Sequence, residues 1–283
     1  MKIDMHVHIT PPDLMKDYQK IGEREPYFQL LSSSPQNKFV TAEEVIMHME
    51  QVGVDHSIVF GFGFQDMGLC QYVNDYVIEM TRKYKGQLTG FAAVVPQHPK
   101  VEQEIERCYL EGLRGIGELF PIGQNFKIEE LAQTAPMANC SKHYQMPILL
   151  HTNEPIGHHY IGKTAISFNA IETFIIHHPD QPIILAHWGG GIFTYELMKE
   201  IKEKFKNVYY DTAAMVFLYE KSIYDVAKAI GIQDKILFGS DYPLVSPKRY
   251  EKGLSESTLT PTEQVAILGE NAKSLFERCH VIL

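Results

Sequence analysis

Residues 2–8 read Lys2-Ile3-Asp4-Met5-His6-Val7-His8. A short apolar run ends there on two histidines separated by one residue. Alternate side chains of an extended strand share a face, so His6 and His8 are expected to point the same way, with Asp4 beside them. Runs of the same character recur at His56–Phe60, Leu88–Val95, Leu113–Leu119, Pro147–Leu150, Pro182–Ala186, Val208–Asp211 and Ile236–Phe238. Each is rich in Val, Ile, Leu or Phe and too short for a typical helix. Each reads as a strand buried on both faces, as parallel strands are.

Helical patterns fill the spaces between these runs. Thr41-Ala42-Glu43-Glu44 has the form of a capping box, with Thr41 as N-cap and Glu44 three residues on. Val45, Met49 and Val52 then share one face, and Gly53 can close the helix. Thr260-Pro261-Thr262-Glu263 repeats the logic with proline at the first helical position. Further helices are expected near Cys70–Tyr84, Val101–Glu111, Ile128–His143, Phe168–His177, Tyr195–Phe205 and Glu220–Ile230. Eight strands alternating with helices predict an α/β fold, a single (β/α)8 TIM barrel; a doubly wound open sheet shows the same alternation, and the count of eight favours the barrel.

The chain has 283 residues, within the range of one barrel, and no linker divides it, so residues 1–283 are expected to form one domain. One stretch breaks the pattern. Residues 10–38 hold Pro11, Pro12, Pro26, Pro35 and three consecutive serines. They read as a long loop inserted after strand 1, either a lid or binding loop or a plain surface excursion.

The formal net charge is −9 and no Lys/Arg-rich run occurs, which argues against nucleic acid as a partner. The four cysteines include no CxxC pair, so neither a disulfide framework nor a thiolate zinc site is indicated. There is no apolar signal core at the start and no apolar run of about 18 residues. The expectation is a cytoplasmic protein with a small-molecule substrate and no membrane partner.

Polar residues gather where the apolar runs stop. His6 and His8 follow the first, His151 the fifth, His187 the sixth and Asp241 the eighth. In a barrel all C-terminal strand ends surround one mouth, where active sites lie, so these residues converge. A lone histidine at a strand end is more often structural than a ligand. Four histidines and an aspartate at such ends, in a chain with 13 histidines, favour a divalent metal site. Glu118 ends the fourth run and is a further candidate ligand, with a salt-bridged barrel glutamate as the alternative.

These residues together resemble the amidohydrolase superfamily, whose pattern is HxH after strand one, His after strands five and six, and Asp after strand eight. The segments Gly90-Phe91-Ala92 with Pro96, Ala186-His187-Trp188-Gly189-Gly190, Phe238-Gly239-Ser240-Asp241-Tyr242-Pro243 and Asn271-Ala272 are similar to the branch containing aminocarboxymuconate semialdehyde decarboxylase. The resemblance implies one divalent metal, usually zinc, on His6, His8, His151 and Asp241, with His187 as acid/base or substrate contact. Gly117-Glu118 is similar instead to the metal-dependent deoxyribonuclease branch, where the glutamate helps hold a second metal, so one ion or two remain open. Family members are often dimers, which makes a homodimer an expectation.

Two chemistries follow. The first is hydrolysis of a small molecule by a metal-activated water, with Asp241 accepting the proton and His187 polarising the carbonyl or protonating the leaving group. The second is a lyase reaction, decarboxylation or hydration of an unsaturated or aromatic carboxylic acid. That reaction needs a cation for the carboxylate. Arg24 and Arg249 are candidates, each equally readable as a solvated surface residue. A non-catalytic metal-binding protein is disfavoured, because binding alone needs no Asp241 and His187 together. The segment His151–Tyr160 follows the fifth strand, and Asn153, Glu154, His158 and Tyr160 are candidate substrate contacts, with loop-shaping turn chemistry as the alternative.

Overall fold

The computed structural model describes residues 1–35 and 38–283. Eight parallel strands follow in chain order: β1 Ile3–His8, β2 His56–Phe60, β3 Leu88–Gly90, β4 Ile116–Leu119, β5 Ile148–Leu150, β6 Ile183–Leu185, β7 Val208–Asp211 and β8 Ile236–Leu237. They pair in sequence order as β1-β2-β3 and β4-β5-β6-β7-β8. Two seams join the sets. Across one, Arg114 N donates to Gly90 O, Ala92 N to Gly115 O and Gly117 N to Ala92 O. Across the other, Met5 N donates to Phe238 O, Asp241 N to His6 O and His8 N to Tyr242 O. The strands therefore form a closed TIM barrel, as the alternation predicted.

The strands are buried along nearly their whole length, which is why they read as continuous apolar runs. Ile3, Met5, Ile58, Phe60, Phe91, Leu149, Ile184 and Leu237 fill the interior, and Leu275 and Phe276 of the last helix pack against them. A larger apolar shell lies between the strands and the helices.

Helices α1 Pro12–Gly22, α2 Pro26–Ser32, α3 Ala42–Val52, α4 Met67–Lys83, α5 Val101–Leu110, α6 Leu131–His143 and α7 Phe168–His177 lead a series that continues to the C-terminus. Both capping boxes form, at Thr41/Glu44 and Thr260/Glu263. Gly53 closes α3 in the left-handed conformation.

The segment after strand 1 corrects one expectation: it is not a structureless loop but carries α1 and α2. Pro12 and Pro26 each occupy the first turn of a helix, where a missing N–H costs nothing and the fixed φ is already helical. These two prolines start helices. Leu14, Ile21 and Phe28 anchor the pair to the core.

The expected common face of Asp4, His6 and His8 is also corrected. Pairing with β2 shifts between Asp4 and Val7, so β1 carries one extra residue there, and a bulge re-aims the side chains beyond it. Ile3 and Met5 face the interior while Val7 and Ile9 face the outer shell. His6 and His8 thus turn into the mouth, and Asp4 instead accepts from Ser240 N and Oγ. A similar shift between Ile116 and Leu119 lies at Glu118.

Candidate metal centre and active site

The strand-end residues converge at the C-terminal mouth. Glu118 sits at the centre of four imidazoles. Its carboxylate lies 3.0 Å from His151 Nδ1 and 3.7 Å from each of His6 Nε2, His8 Nε2 and His187 Nε2. Asp241 Oδ1 stands 3.8 Å from His6 Nε2 and 3.5 Å from His8 Nε2.

The outward nitrogens of His6, His151 and His187 are held. His6 Nδ1 bonds Asp211 Oδ2 at 2.8 Å, His187 Nδ1 bonds Ala213 O at 3.0 Å, and His151 Nε2 bonds Gly162 O at 3.2 Å. Carboxylates and carbonyls can only accept, so each of these nitrogens is the N–H. In the neutral rings of His6 and His187 the inward nitrogen is then a lone pair, whereas His151 faces an acceptor on both sides, Gly162 O and Glu118 Oε1. Histidines that bind metal are arranged this way, with the second N–H given to an outer acceptor.

His6 Nε2 is buried and has no hydrogen-bond partner among the described residues. An unpaired buried nitrogen of this kind is costly unless something completes it. Two sets of donor atoms lie close enough to share an ion: His6, His8 and Asp241, and His6, Glu118 and His187. Both sets consist of nitrogen and carboxylate oxygen, which suits zinc, manganese or iron. His151 belongs to neither set; its inner nitrogen faces Glu118 instead.

The electrostatics point the same way. Burial works against a charge on His6, but the Asp211, Glu118 and Asp241 carboxylates outweigh it and push its pKa up to about 10. His187 is raised to about 9 against its burial, by Glu118 and Asp241. Burial would raise Glu118, yet His6 and His151 hold it well below the usual carboxylate range. Asp241 is also held low, by His8, His6 and His187. The site is a pocket of negative charge that draws cations, protons in their default.

His187 and Asp241 both adopt positive φ, 56° and 66°. Such backbone costs on the order of 1–3 kcal/mol and survives only where the surroundings impose it. Here His187 N donates to Asp211 Oδ1 at 2.9 Å, and Asp241 N donates to His6 O at 2.9 Å. Asp211, fully buried, therefore orients both histidines. Sequence reasoning missed it, although it ends the seventh apolar run as the other site residues end theirs.

A cavity of about 530 Å³ opens over the cluster. His8, Glu118, His151, His187 and Asp241 line its polar end. Phe39, Phe62, Phe120, Tyr160 and Phe217 supply aromatic walls. Lys38, another residue missed, is the one Lys or Arg on the wall among the described residues. Thr10 N bonds Val40 O at 2.8 Å and returns that segment to the mouth.

The other expected contacts divide. His158 lines the cavity. Arg24 is exposed and lies away from the cavity wall. Arg249 is exposed too, its guanidinium 4.9 Å from the Phe217 ring centre. Asn153 is buried and its amide is fully engaged with Thr164, so it shapes the loop and does not face the cavity.

The model of the amidohydrolase family matches residues 3–278. The chain belongs to the amidohydrolase family. No curated protein matches it in sequence. Solved structures share the barrel of this amidohydrolase at low identity. A dihydroxybenzoic acid decarboxylase from Polaromonas, with manganese and the inhibitor 2-nitroresorcinol bound, is 19% identical at TM-score 0.72, covering 98% of this chain and 96% of that one. A 5-carboxyvanillate decarboxylase from Novosphingobium aromaticivorans, complexed with manganese and 4-hydroxy-3-methoxy-5-nitrobenzoic acid, is 15% identical at TM-score 0.75, with 98% and 96% covered. A protein described as a probable 2-pyrone-4,6-dicarboxylic acid hydrolase from Acinetobacter baumannii is 15% identical at TM-score 0.62, with 98% and 99% covered. No helix among the described residues is long and apolar enough to cross a membrane.

Proposed function

We propose that the barrel formed by residues 1–283 is a metal-dependent decarboxylase of an aromatic or unsaturated carboxylic acid. The observation that carries this is the division of the cavity: a cluster of histidines and carboxylates at one end, and a mainly apolar wall that includes five aromatic rings elsewhere. A flat acid fits such a shape, with its carboxylate at the cluster and its ring against Phe62, Phe120 and Phe217. Decarboxylases with bound manganese among the structural relatives support this lyase reading over hydrolysis.

His6, His8 and Asp241 would hold the cation, with His151 and Glu118 beside them. When bound, a divalent cation supplies a fixed positive charge for the substrate carboxylate and its neighbouring oxygen. The residues of the chain do the rest. His187, raised to about 9, carries a proton near neutrality on a nitrogen facing the cavity. It can deliver that proton to the carbon bearing the carboxylate. The bond to the carboxylate then breaks, its electron pair returns to the ring, and carbon dioxide leaves. His187 regains its proton from solvent. Asp241, held low, stays an anion that keeps the imidazolium in place. Phe62, Phe120 and Tyr160 limit water at the reacting carbon. Lys38 offers a counter-charge at the wall.

Carbon dioxide release from a panel of hydroxybenzoic and related unsaturated acids, measured with manganese-loaded protein, tests the proposal. Release from at least one aromatic acid is expected. Turnover of lactones or amides with no release from any acid would replace it with the hydrolytic reading, in which Asp241 serves as the base.

A further inference from the structure

Two of the acceptors that orient the histidines, Asp211 Oδ2 and Ala213 O, belong to β7 or the residues just after it. The third differs. Gly162 O, which accepts from His151 Nε2 at 3.2 Å, sits on the excursion after β5.

That excursion is a closed loop with its own internal bonds. At its neck, Asn153 Oδ1 accepts from Thr164 N and Oγ1, both at 2.8 Å, and Asn153 Nδ2 donates to Thr164 O at 2.9 Å. Within it, Tyr160 donates its hydroxyl to Glu154 Oε2 at 2.9 Å, and Lys163 Nζ donates to His158 O at 3.2 Å. Residues 155–159 at the tip are exposed, whereas His158, Tyr160, Ile161 and Gly162 contribute to the cavity wall. A compact loop pinned at its neck moves as a unit.

We propose that Gly162 is a positioning residue for His151, and that docking of the 153–164 loop completes the histidine set. The inference rests on the metal reading above. While the loop is seated, its carbonyl fixes the N–H on Nε2 and turns Nδ1 inward to Glu118. When the loop lifts, the cavity opens on that side and the His151 ring keeps only its Nδ1 bond to Glu118. Substrate entry and assembly of the polar cluster are thereby coupled through one hydrogen bond.

Gly162 has φ +101°, and a Cβ placed there would come no closer than 3.7 Å to its nearest neighbour, Leu31 Cδ2. Gly162→Ala therefore disturbs the backbone direction, and with it the carbonyl, without a packing clash. Tyr160→Phe removes the clasp to Glu154 and leaves Gly162 itself unchanged.

The test is calorimetric titration of the full-length protein with manganese chloride, alongside thermal unfolding of each metal-free form. Gly162→Ala is expected to weaken the manganese Kd at least about tenfold, the effect of losing an outer hydrogen bond at a metal site, with only a small fall in the metal-free Tm from the left-handed alanine. Tyr160→Phe is expected to weaken it less, and to speed amide exchange across residues 153–164. Equal Kd for wild type and Gly162→Ala would overturn the inference and leave the metal reading standing. A weaker Kd matched by an equivalent fall in metal-free Tm would also overturn it, because Gly162 would then serve only the fold. No manganese uptake by the wild type would overturn both.

Discussion

His6 Nδ1 and Asp211 Oδ2 lie 2.8 Å apart, both side chains fully buried. The same carboxylate group holds the backbone N–H of His187 through its other oxygen, at 2.9 Å. Asp211 is thus shared by two of the four clustered histidines. Asp211→Asn is expected to lower manganese affinity about 10–100-fold, because an amide cannot match the carboxylate as acceptor for both N–H groups. Equilibrium dialysis against manganese checks this, and unchanged affinity would remove Asp211 from the account.

The proton assignment makes separate predictions for His187 and Asp241. His187→Gln should lower kcat about 10²–10⁴-fold, the usual contribution of a positioned acid, while metal content stays near that of wild type. Asp241→Asn should abolish turnover and weaken metal retention, since only His6 and His8 of that donor set remain. Full activity in either variant would refute its role.

Metal affinity should depend on pH in a defined direction. His6, raised to about 10, holds a proton that a cation must displace, whereas His187, raised to about 9, keeps its own. Affinity should rise with pH through neutrality and level off near pH 10, by up to about tenfold per pH unit. In the metal-free protein the sign is opposite for stability. Both pKa values lie above the ordinary 6.5, so their contribution is complete below pH 6.5 and is lost as pH rises through 9 to 10. Calorimetry across pH, with thermal unfolding of the metal-free form, measures both trends.

The turn after β6 makes a stability prediction. Gly190 has φ +61°, and a Cβ there would clash with the backbone carbonyl oxygen of Asn153. Gly190→Ala should cost more than about 3 kcal/mol, combining a left-handed alanine with a clash against backbone. Chemical denaturation checks this; a loss below about 1 kcal/mol would mean the two loops separate easily.

Much of this organisation was legible in the sequence. Strands buried on both faces leave continuous apolar runs, and a barrel brings their ends together, so His6, His8, His151, His187, Glu118 and Asp241 could be gathered before any coordinates. The failures have physical causes. The proline-rich stretch 10–38 reads as a long loop, because a proline that opens a helix and one that ends it look alike without the partners of the following turn. The bulge in β1 inverts strand parity, and a period of two cannot foresee an extra residue, so Asp4 was placed on the wrong face. Asp211 ends its run with no flanking motif that distinguishes it from a simple strand boundary. Lys38 reaches the cavity only because Val40 folds back onto Thr10. Arg24 and Asn153 had suitable chemistry at plausible loop positions, but whether a loop side chain faces inward is set by tertiary contacts.

The most direct test is the metal content of purified protein by elemental analysis, for wild type and His6→Ala, before and after manganese reconstitution. His6 belongs to both sets of donor atoms. The account predicts about one equivalent of divalent metal in the wild type and nearly complete loss in the variant. No metal in the wild type after reconstitution, or equal metal in both proteins, would contradict it.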